Sequence, residues 1–263
     1  MESIIKNLQL VRQKSPLVHN ITNFVVMNNT ANAILAIGAS PIMAHAHPEV
    51  EDLIDLVGAS VINIGTLDEY WVDSMMLAAK KANSIGKPWI LDPVGAGASK
   101  YRNDTLAELL HHKPTVIRGN ASEIMSLAKI DIASKGVDSA NTSDEAVEAG
   151  KNLSNSTGAV VCISGEKDYV IQGDRVSMIE NGHELMGQIT GMGCTASALI
   201  GAFAAVIDDP FDATVSAMAV LGMAGQMASE MASGPGTMQL YIYDCLHQMG
   251  DTDITNLAKI SML

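Results

Sequence analysis

The sequence predicts an α/β fold in which a mostly parallel sheet is covered by helices on both faces. Short apolar runs alternate with longer stretches of helical periodicity, the order expected of βαβ units. Runs such as Val160-Val161-Cys162-Ile163 lack polar alternation, as strands buried on both faces do. Apolar residues make up 48% of the chain and aromatic residues only 4%, so Ala, Val, Ile, Leu and the 16 Met must build the core. Small residues in long helices imply close packing of helix on sheet.

Five strands are expected, at residues 60–64, 88–91, 115–117, 159–163 and 169–172. Residues 73–84 form a helix linking the first two. Residues 144–154 form another, opened by Thr142-Ser143-Asp144-Glu145, a capping-box pattern. Beyond Cys194 the chain reads as mostly helical. No repeat, low-complexity tract or Pro/Ser-rich linker interrupts the 263 residues, and the whole chain, 1–263, reads as one domain.

Composition excludes several classes. A net charge of −13 argues against a nucleic-acid or anionic-membrane partner. Cys162, Cys194 and Cys245 are scattered and odd in number, without disulfide or zinc spacing, which fits a reducing cytoplasm. Met1-Glu2-Ser3-Ile4-Ile5-Lys6 lacks a secretory apolar core. Residues 185–207 carry no charge, but Gly187, Gly191 and Gly193 crowd the first half. The helical part, from Cys194, is too short to span a bilayer and reads as a buried helix.

In open α/β sheets, ligands bind beyond the carboxyl ends of the strands. Here those ends deliver Gly65-Thr66, Asp92-Pro93-Val94-Gly95-Ala96-Gly97, Arg118-Gly119-Asn120-Ala121-Ser122-Glu123 and Ser164-Gly165-Glu166. Polar groups and glycine at four strand ends suit a phosphate and metal site. Thr190-Gly191-Met192-Gly193-Cys194 adds a glycine turn running into an apolar helix. Free N–H groups and the helix dipole make that junction an anion socket with a thiol at its rim.

Each candidate has a structural reading beside its chemical one. Asp92 can hold Mg²⁺ or open a turn. Glu123, three residues after Asn120, can serve a metal or complete a capping box. Arg118 can clamp a phosphate or pair with an acid. Cys194 at a helix N-terminus is expected to have a lowered pKa, or to be a small core hydrophobe like Cys162 and Cys245. His45-Ala46-His47 can point two imidazoles to one side of a strand, a weak metal signal without a third ligand. Met43 reads by default as a core residue, and so do Met218, Met223, Met227 and Met231 at helical spacing. Gly191-Met192-Gly193-Cys194-Thr195-Ala196 matches a dinucleotide pattern but falls too late in the chain, and no P-loop motif is present.

Further segments complete a specific pattern: Ile21-Thr22-Asn23, Ala31-Asn32-Ala33, Gly38-Ala39-Ser40-Pro41-Ile42-Met43 and Asn63-Ile64-Gly65-Thr66-Leu67. Together with the strand-end motifs and the Gly191–Cys194 turn, they resemble the hydroxyethylthiazole kinase family of the ribokinase-like superfamily over nearly the full length. The resemblance implies a three-layer α/β/α fold and ATP-dependent phosphorylation of the primary alcohol of 4-methyl-5-(2-hydroxyethyl)thiazole, in thiamine salvage. It implies a homotrimer with thiazole sites between subunits. It implies thiazole-side contacts at Asn23, Met43, Gly65, Thr66 and Gly191, ATP contacts at Arg118 and Ser164, and Mg²⁺-organising acids at Asp92 and Glu123, acting through water. Gly193 and Cys194 belong to the loop that stabilises the transferring phosphoryl group.

The chain departs from that family at Met192, where a small residue is usual, at Asn20, where Cys is frequent, and at Ser164, where Thr is common. Related sugar and vitamin kinases carry Asp where this chain has Cys194, and a neutral thiol is a poor base. Two alternatives stand beside this reading: a kinase of another small alcohol such as hydroxymethylpyrimidine, and a non-catalytic vitamin-binding protein. Asn23 and Met43 favour the thiazole over the pyrimidine.

Overall fold

A computed structural model describes residues 1–135 and 145–263. In chain order its elements are α1 (Glu2–Lys14), β1 (Leu17–Ile21), α2 (Met27–Ala36), β2 (Ser40–Met43), α3 (His47–Leu56), β3 (Ala59–Asn63), α4 (Glu69–Ser84), β4 (Trp89–Asp92), α5 (Lys100–His111), β5 (Val116–Asn120) and α6 (Ala121–Lys135). There follow α7 (Glu145–Thr157), β6 (Val160–Ser164), β7 (Asp168–Gln172), β8 (Arg175–Ile179), α8 (Met192–Ala204), α9 (Pro210–Met231), α10 (Pro235–Gln248), α11 (Asp251–Leu257) and β9 (Ile260–Met262). A 3-10 turn, Glu184–Gln188, precedes α8.

The strands form one nine-stranded sheet in the order β2-β1-β3-β4-β5-β6-β7-β8-β9. Pairing is parallel from β2 through β6 and antiparallel from there to β9. Successive side chains alternate between the two faces. Val18, Val61, Ile90, Val116 and Cys162 pack with α1, α2, α8, α9 and α10. Ile62, Leu91, Ile117, Val161 and Ile163 pack with α3 to α7. This is the three-layer arrangement expected from the sequence.

All five expected strands are present within a residue or a few of their expected ends. Four strands were not expected. β1 carries His19 and Asn20 in place of apolar residues, yet both are buried. β2 contains Pro41, which an edge strand tolerates. β8 begins with Arg175, joined to β7 by the two-residue turn Gly173-Asp174, and β9 is three residues long. The capping pattern at Thr142–Asp144 lies outside the described residues. No helix among the described residues is long and apolar enough to cross a membrane; within 185–207, α8 supplies thirteen helical residues.

Helix α8 fixes the geometry of everything above the sheet. A Cβ added at Gly201 would lie 2.6 Å from Val61 Cγ2 and 3.1 Å from Val18 Cγ1, so α8 rests directly on β1 and β3. Ser197, nearer its start, bonds to Asp92 at the end of β4, while Ala205, just past its end, abuts Gly58 before β3. α8 therefore runs antiparallel to the strands, with its N-terminus over their carboxyl ends. Of the four methionines at helical spacing in α9, Met218 and Met223 are buried, Met227 is partly buried, and Met231 is 51% exposed.

His19 is a buried exception in an otherwise apolar strand pair. Its Nε2 lies 2.8 Å from the Ala44 carbonyl and its Nδ1 2.9 Å from Ser60 Oγ. A neutral ring donating to Ala44 and accepting from Ser60 satisfies both. Burial lowers its pKa from 6.5 to about 4, partly offset by the Ala44 bond. The unfolded chain therefore takes up a proton that the folded one refuses. Stability from this group is fully present above about pH 6.5 and is lost as pH falls toward 4, by roughly 3 kcal/mol. Asp92 and Asp168, whose carboxyls are raised by burial, act in the opposite sense. Urea unfolding at pH 7.5 and pH 4.5 isolates the effect: His19→Gln should lose less stability on acidification than the parent, and equal losses would contradict the assignment.

Candidate active site

A hydrogen-bonded chain of side chains runs across the carboxyl ends of β1, β3 and β4. Asn23 Nδ2 donates to Asn63 Oδ1 at 2.9 Å, and Asn63 Nδ2 donates to Asp92 Oδ2 at 2.6 Å. Ser197 Oγ, from α8, donates to the same Asp92 oxygen at 2.9 Å. The Gly65 amide also bonds Asn63 Oδ1, at 2.9 Å, and Phe24 N donates to Thr66 Oγ1 at 3.1 Å. A Cβ at Gly65 would lie 2.6 Å from Asn23 Nδ2, so only glycine lets these loops meet.

Asp92 is fully buried, and its Oδ1 has no partner among the described residues. Burial raises its carboxyl to about 6, against the pull of Arg118 and the bonds from Ser197 and Asn63, with Glu123 adding to the rise. An unpartnered buried oxygen is costly unless a ligand uses it. It is a hard donor of the kind Mg²⁺ selects. Glu123 is differently placed. Asn120 and Glu123 form a reciprocal capping box, Asn120 N to Oε2 and Glu123 N to Asn120 Oδ1, both 2.9 Å. Glu123 Oε1 takes the Gly95 amide at 3.0 Å. The capping role foreseen for it is therefore present.

Arg118 ends up buried, with its Nη2 donating to Ser164 Oγ and its Nε without a partner among the described residues. No carboxylate pairs with it among the described residues. The guanidinium lies against Gly193: a Cβ there would be 2.8 Å from Nη2 and 2.9 Å from Cζ. Gly191 caps α8 with φ +81, a left-handed conformation that glycine adopts without strain, close under Val26. A buried guanidinium beside open helix N–H groups is a site for an anion.

Cys194 sits between these two halves. Asn23 Nδ2 approaches its Sγ at 3.5 Å. The lowered pKa expected of a helix N-terminus does not hold: burial and the nearby Asp92 push the thiol up to about 11, against smaller opposing effects of Asn63, Asn23 and Arg118. The thiol is neutral at ordinary pH.

A cleft of about 990 Å³ opens from Arg118, Ser164 and Gly193 between β7, β8, the 3-10 turn and α9. Met192, Met186, Met218 and Leu221 give it an apolar wall, while Lys167 and Glu180 pair at 2.7 Å. Met192 thus faces the cleft. Asp168, also lining it, accepts the Gly165 amide and is raised to about 6 by burial, opposed by that bond and Arg118. A smaller cavity of about 400 Å³ lies at the opposite, amino ends of the strands, near Gly58 and Pro88, away from every candidate residue.

Met43 ends the edge strand β2, in register with Asn20, and is half-buried. His45 and His47 are not on a strand. They lie at the start of α3, where His47 stacks on Tyr70 at 3.8 Å and His45 packs on Trp71 at 4.4 Å. No cluster of three metal-ligating side chains occurs among the described residues. Asn63, Ser197 and Asp168 were not anticipated as site residues. Asn63 had a signal, since it ends a strand just before Gly65-Thr66.

The architecture is that of the ribokinase-like kinases. Pyridoxal kinase from Staphylococcus aureus in complex with AMP-PCP and pyridoxal matches it with a TM-score of 0.67, covering 94% of this chain and 98% of that one, at 14% identity. Within that class the chain belongs to the hydroxyethylthiazole kinase family, whose model matches residues 8–252. Hydroxyethylthiazole kinase of Leptospira biflexa is 56% identical over 250 residues, 95% of this chain and 94% of that protein. The structure of a hydroxyethylthiazole kinase protein from Pyrococcus horikoshii OT3 superposes with a TM-score of 0.94 at 45% identity, covering 100% of both chains.

Gly193→Ala separates fold from site. Alanine suits a helix better than glycine, so unfolding free energy should change by no more than about 1 kcal/mol. The added methyl displaces the Arg118 guanidinium, and kcat/KM for nucleotide should fall about 100-fold, on the scale of losing one charge-stabilising donor. Unchanged kinetics in a folded variant would show that the contact does not matter.

Proposed function

We propose that the chain transfers the γ-phosphoryl group of ATP to the primary hydroxyl of 4-methyl-5-(2-hydroxyethyl)thiazole, giving its phosphate for thiamine synthesis. The observation that carries this reading is a pair of opposite charges beside α8: Arg118 lies against Gly193, Asp92 is bonded by Ser197, each side chain is close enough for Arg118 to act on the Asp92 carboxyl, and Arg118 Nε and Asp92 Oδ1 have no partner among the described residues. One calls for an anion and the other for a cation, the pair that a magnesium nucleotide supplies. Membership of the hydroxyethylthiazole kinase family selects the alcohol.

Asn23, Gly65, Thr66, Gly191 and Met43 form the alcohol side. Arg118 and Ser164 take phosphate oxygens, and the nucleotide occupies the cleft beyond them. Asp92 through Oδ1, and Glu123 through water, would hold Mg²⁺. Held there, Mg²⁺ would supply positive charge against the phosphates of the nucleotide. The hydroxyl oxygen attacks the γ-phosphorus in line as the bond from that phosphorus to the bridging oxygen breaks and ADP leaves, while the amides of Gly191 to Cys194 stabilise the transferring group. The Cys194 thiol is neutral and a poor acceptor, so the alcohol's proton passes to solvent, the rate rests on positioning, and turnover is modest.

The single sheet joining both ends of the chain supports reading 1–263 as one domain. The unpaired thiols of Cys162, Cys194 and Cys245 fit a cytoplasmic location. Phe24 and Val25, 62% and 60% exposed beside the alcohol-side residues, are apolar surface that a neighbouring subunit would cover, and the resemblance to the family implies that the assembly is a homotrimer with its sites between subunits. Light scattering should give three times the chain mass.

An ATP-coupled assay offering the thiazole alcohol and hydroxymethylpyrimidine side by side, with and without Mg²⁺, tests the reading. Turnover of the thiazole alone, dependent on Mg²⁺, is expected; no thiazole turnover would sink it. Cys194→Asp should match or exceed the parent in kcat, by up to about 100-fold, because a carboxylate supplies the missing base. A clear loss with folding intact would count against Cys194 as an inefficient stand-in.

A further inference from the structure

Arg102 breaks a local rule. It is the third residue of α5, after the cap Ser99, whose Oγ accepts the Arg102 amide at 3.3 Å. A cation in the first turn of a helix lies at the positive end of the dipole, the unfavourable end. No acidic residue accompanies it in that turn, and no carboxylate pairs with it among the described residues. Sites that break local rules without local compensation are where function is found.

The guanidinium is instead spent on backbone carbonyls from two different strand ends. Nη2 donates to Gly65 O at 2.7 Å and Nη1 to Val94 O at 2.8 Å, with Ile64 O as a further acceptor of Nη1. Gly95, at φ +71, adopts the left-handed conformation of the turn that rests against the side chain. The neighbouring Asn103 takes the Gly97 amide on Oδ1 at 2.9 Å. One planar fork thus spans the loop after β3, which carries Gly65 and Thr66, and the loop after β4, which follows Asp92 and reaches Glu123 through Gly95. A lysine ammonium cannot reproduce a fork that grips carbonyls from two loops at once.

We propose that Arg102 is a positioning residue that fixes the alcohol-side loop against the loop that follows Asp92 and bonds Glu123, and so couples binding of the alcohol to use of the metal. This rests on the kinase reading above. Arg102 touches neither reactant; it acts through Gly65 and Val94.

Arg102→Lys keeps the charge and the stem, and Arg102→Ala removes both. In each, the KM for the thiazole alcohol and the Mg²⁺ concentration for half-maximal rate should rise together, by about 10- to 100-fold, as expected when bonds from a charged donor are lost. The KM for ATP, set by Arg118 and Ser164, should stay within about twofold. An unchanged KM for the alcohol in a folded variant, or equal shifts in all three constants, overturns the proposal. Hydrogen exchange decides independently of turnover. In Arg102→Lys the amides of residues 64–66 and of 94–98 should both exchange faster than in the parent. Acceleration in neither loop, or in one alone, overturns it. Absence of thiazole turnover in the parent would instead remove the kinase reading, and the exchange result would still decide whether Arg102 joins the loops. Where Arg102→Ala does not fold, Arg102→Lys carries every readout.

Discussion

The placement of one carboxyl inside the protein, away from water, organises the rest of the site. Asp92 is held at the end of β4 by Asn63 from β3 and Ser197 from α8, both on the same oxygen. That arrangement leaves the other oxygen bare. A bare buried carboxylate oxygen is expensive, and proteins keep such groups where a ligand repays the expense. The strand register, the glycine at position 65 and the seating of α8 through Gly201 all serve to keep these three residues together.

The same logic explains how a chain of net charge −13 can receive a polyphosphate. Global charge repels such a ligand; local charge decides. Arg118 is buried and pairs with a hydroxyl, not an acid, so its charge is not neutralised in place. Burial raises the carboxyls of its neighbours Asp92 and Asp168, and the Arg118 charge pulls both back toward the ionised form. The amides at the start of α8 add positive potential without a side chain. Affinity for an anion is thus built from dipoles and one guanidinium.

What could be read from the sequence follows from how burial is encoded. Strands with continuous apolar runs, β3 to β7, were legible because both faces are covered. β1 was not, because His19 and Asn20 occupy it and only their partners, Ser60 and Ala44 for His19 and Val18 for Asn20, make polar side chains tolerable there. β8 announced itself only by Gly173-Asp174, a hairpin turn whose signal is weak without apolar alternation around it. At the site, the chemical roles of Asp92, Arg118 and Glu123 stayed open between ligand contact and turn, ion pair or cap, while their placement at or just beyond strand ends was legible. Ser197 was not, since a serine in an apolar helix says nothing until Asp92 is seen beneath it. The thiol of Cys194 was misjudged for the same reason. The helix terminus is local and visible in sequence, whereas the burial and the Asp92 charge that outweigh it come from contacts far along the chain.

Those long separations reach beyond the finished molecule. The bond from Asn23 to Cys194 closes over 171 positions, and that from Ser197 to Asp92 over 105. At about 5–20 residues per second, a ribosome that has made Asn23 works for about 10–35 s before Cys194 exists. Until then the carboxyl ends of β1, β3 and β4 stand uncovered. A nascent chain can assemble much of its sheet early, but its reaction centre is complete only after α8 has been made and has settled across it.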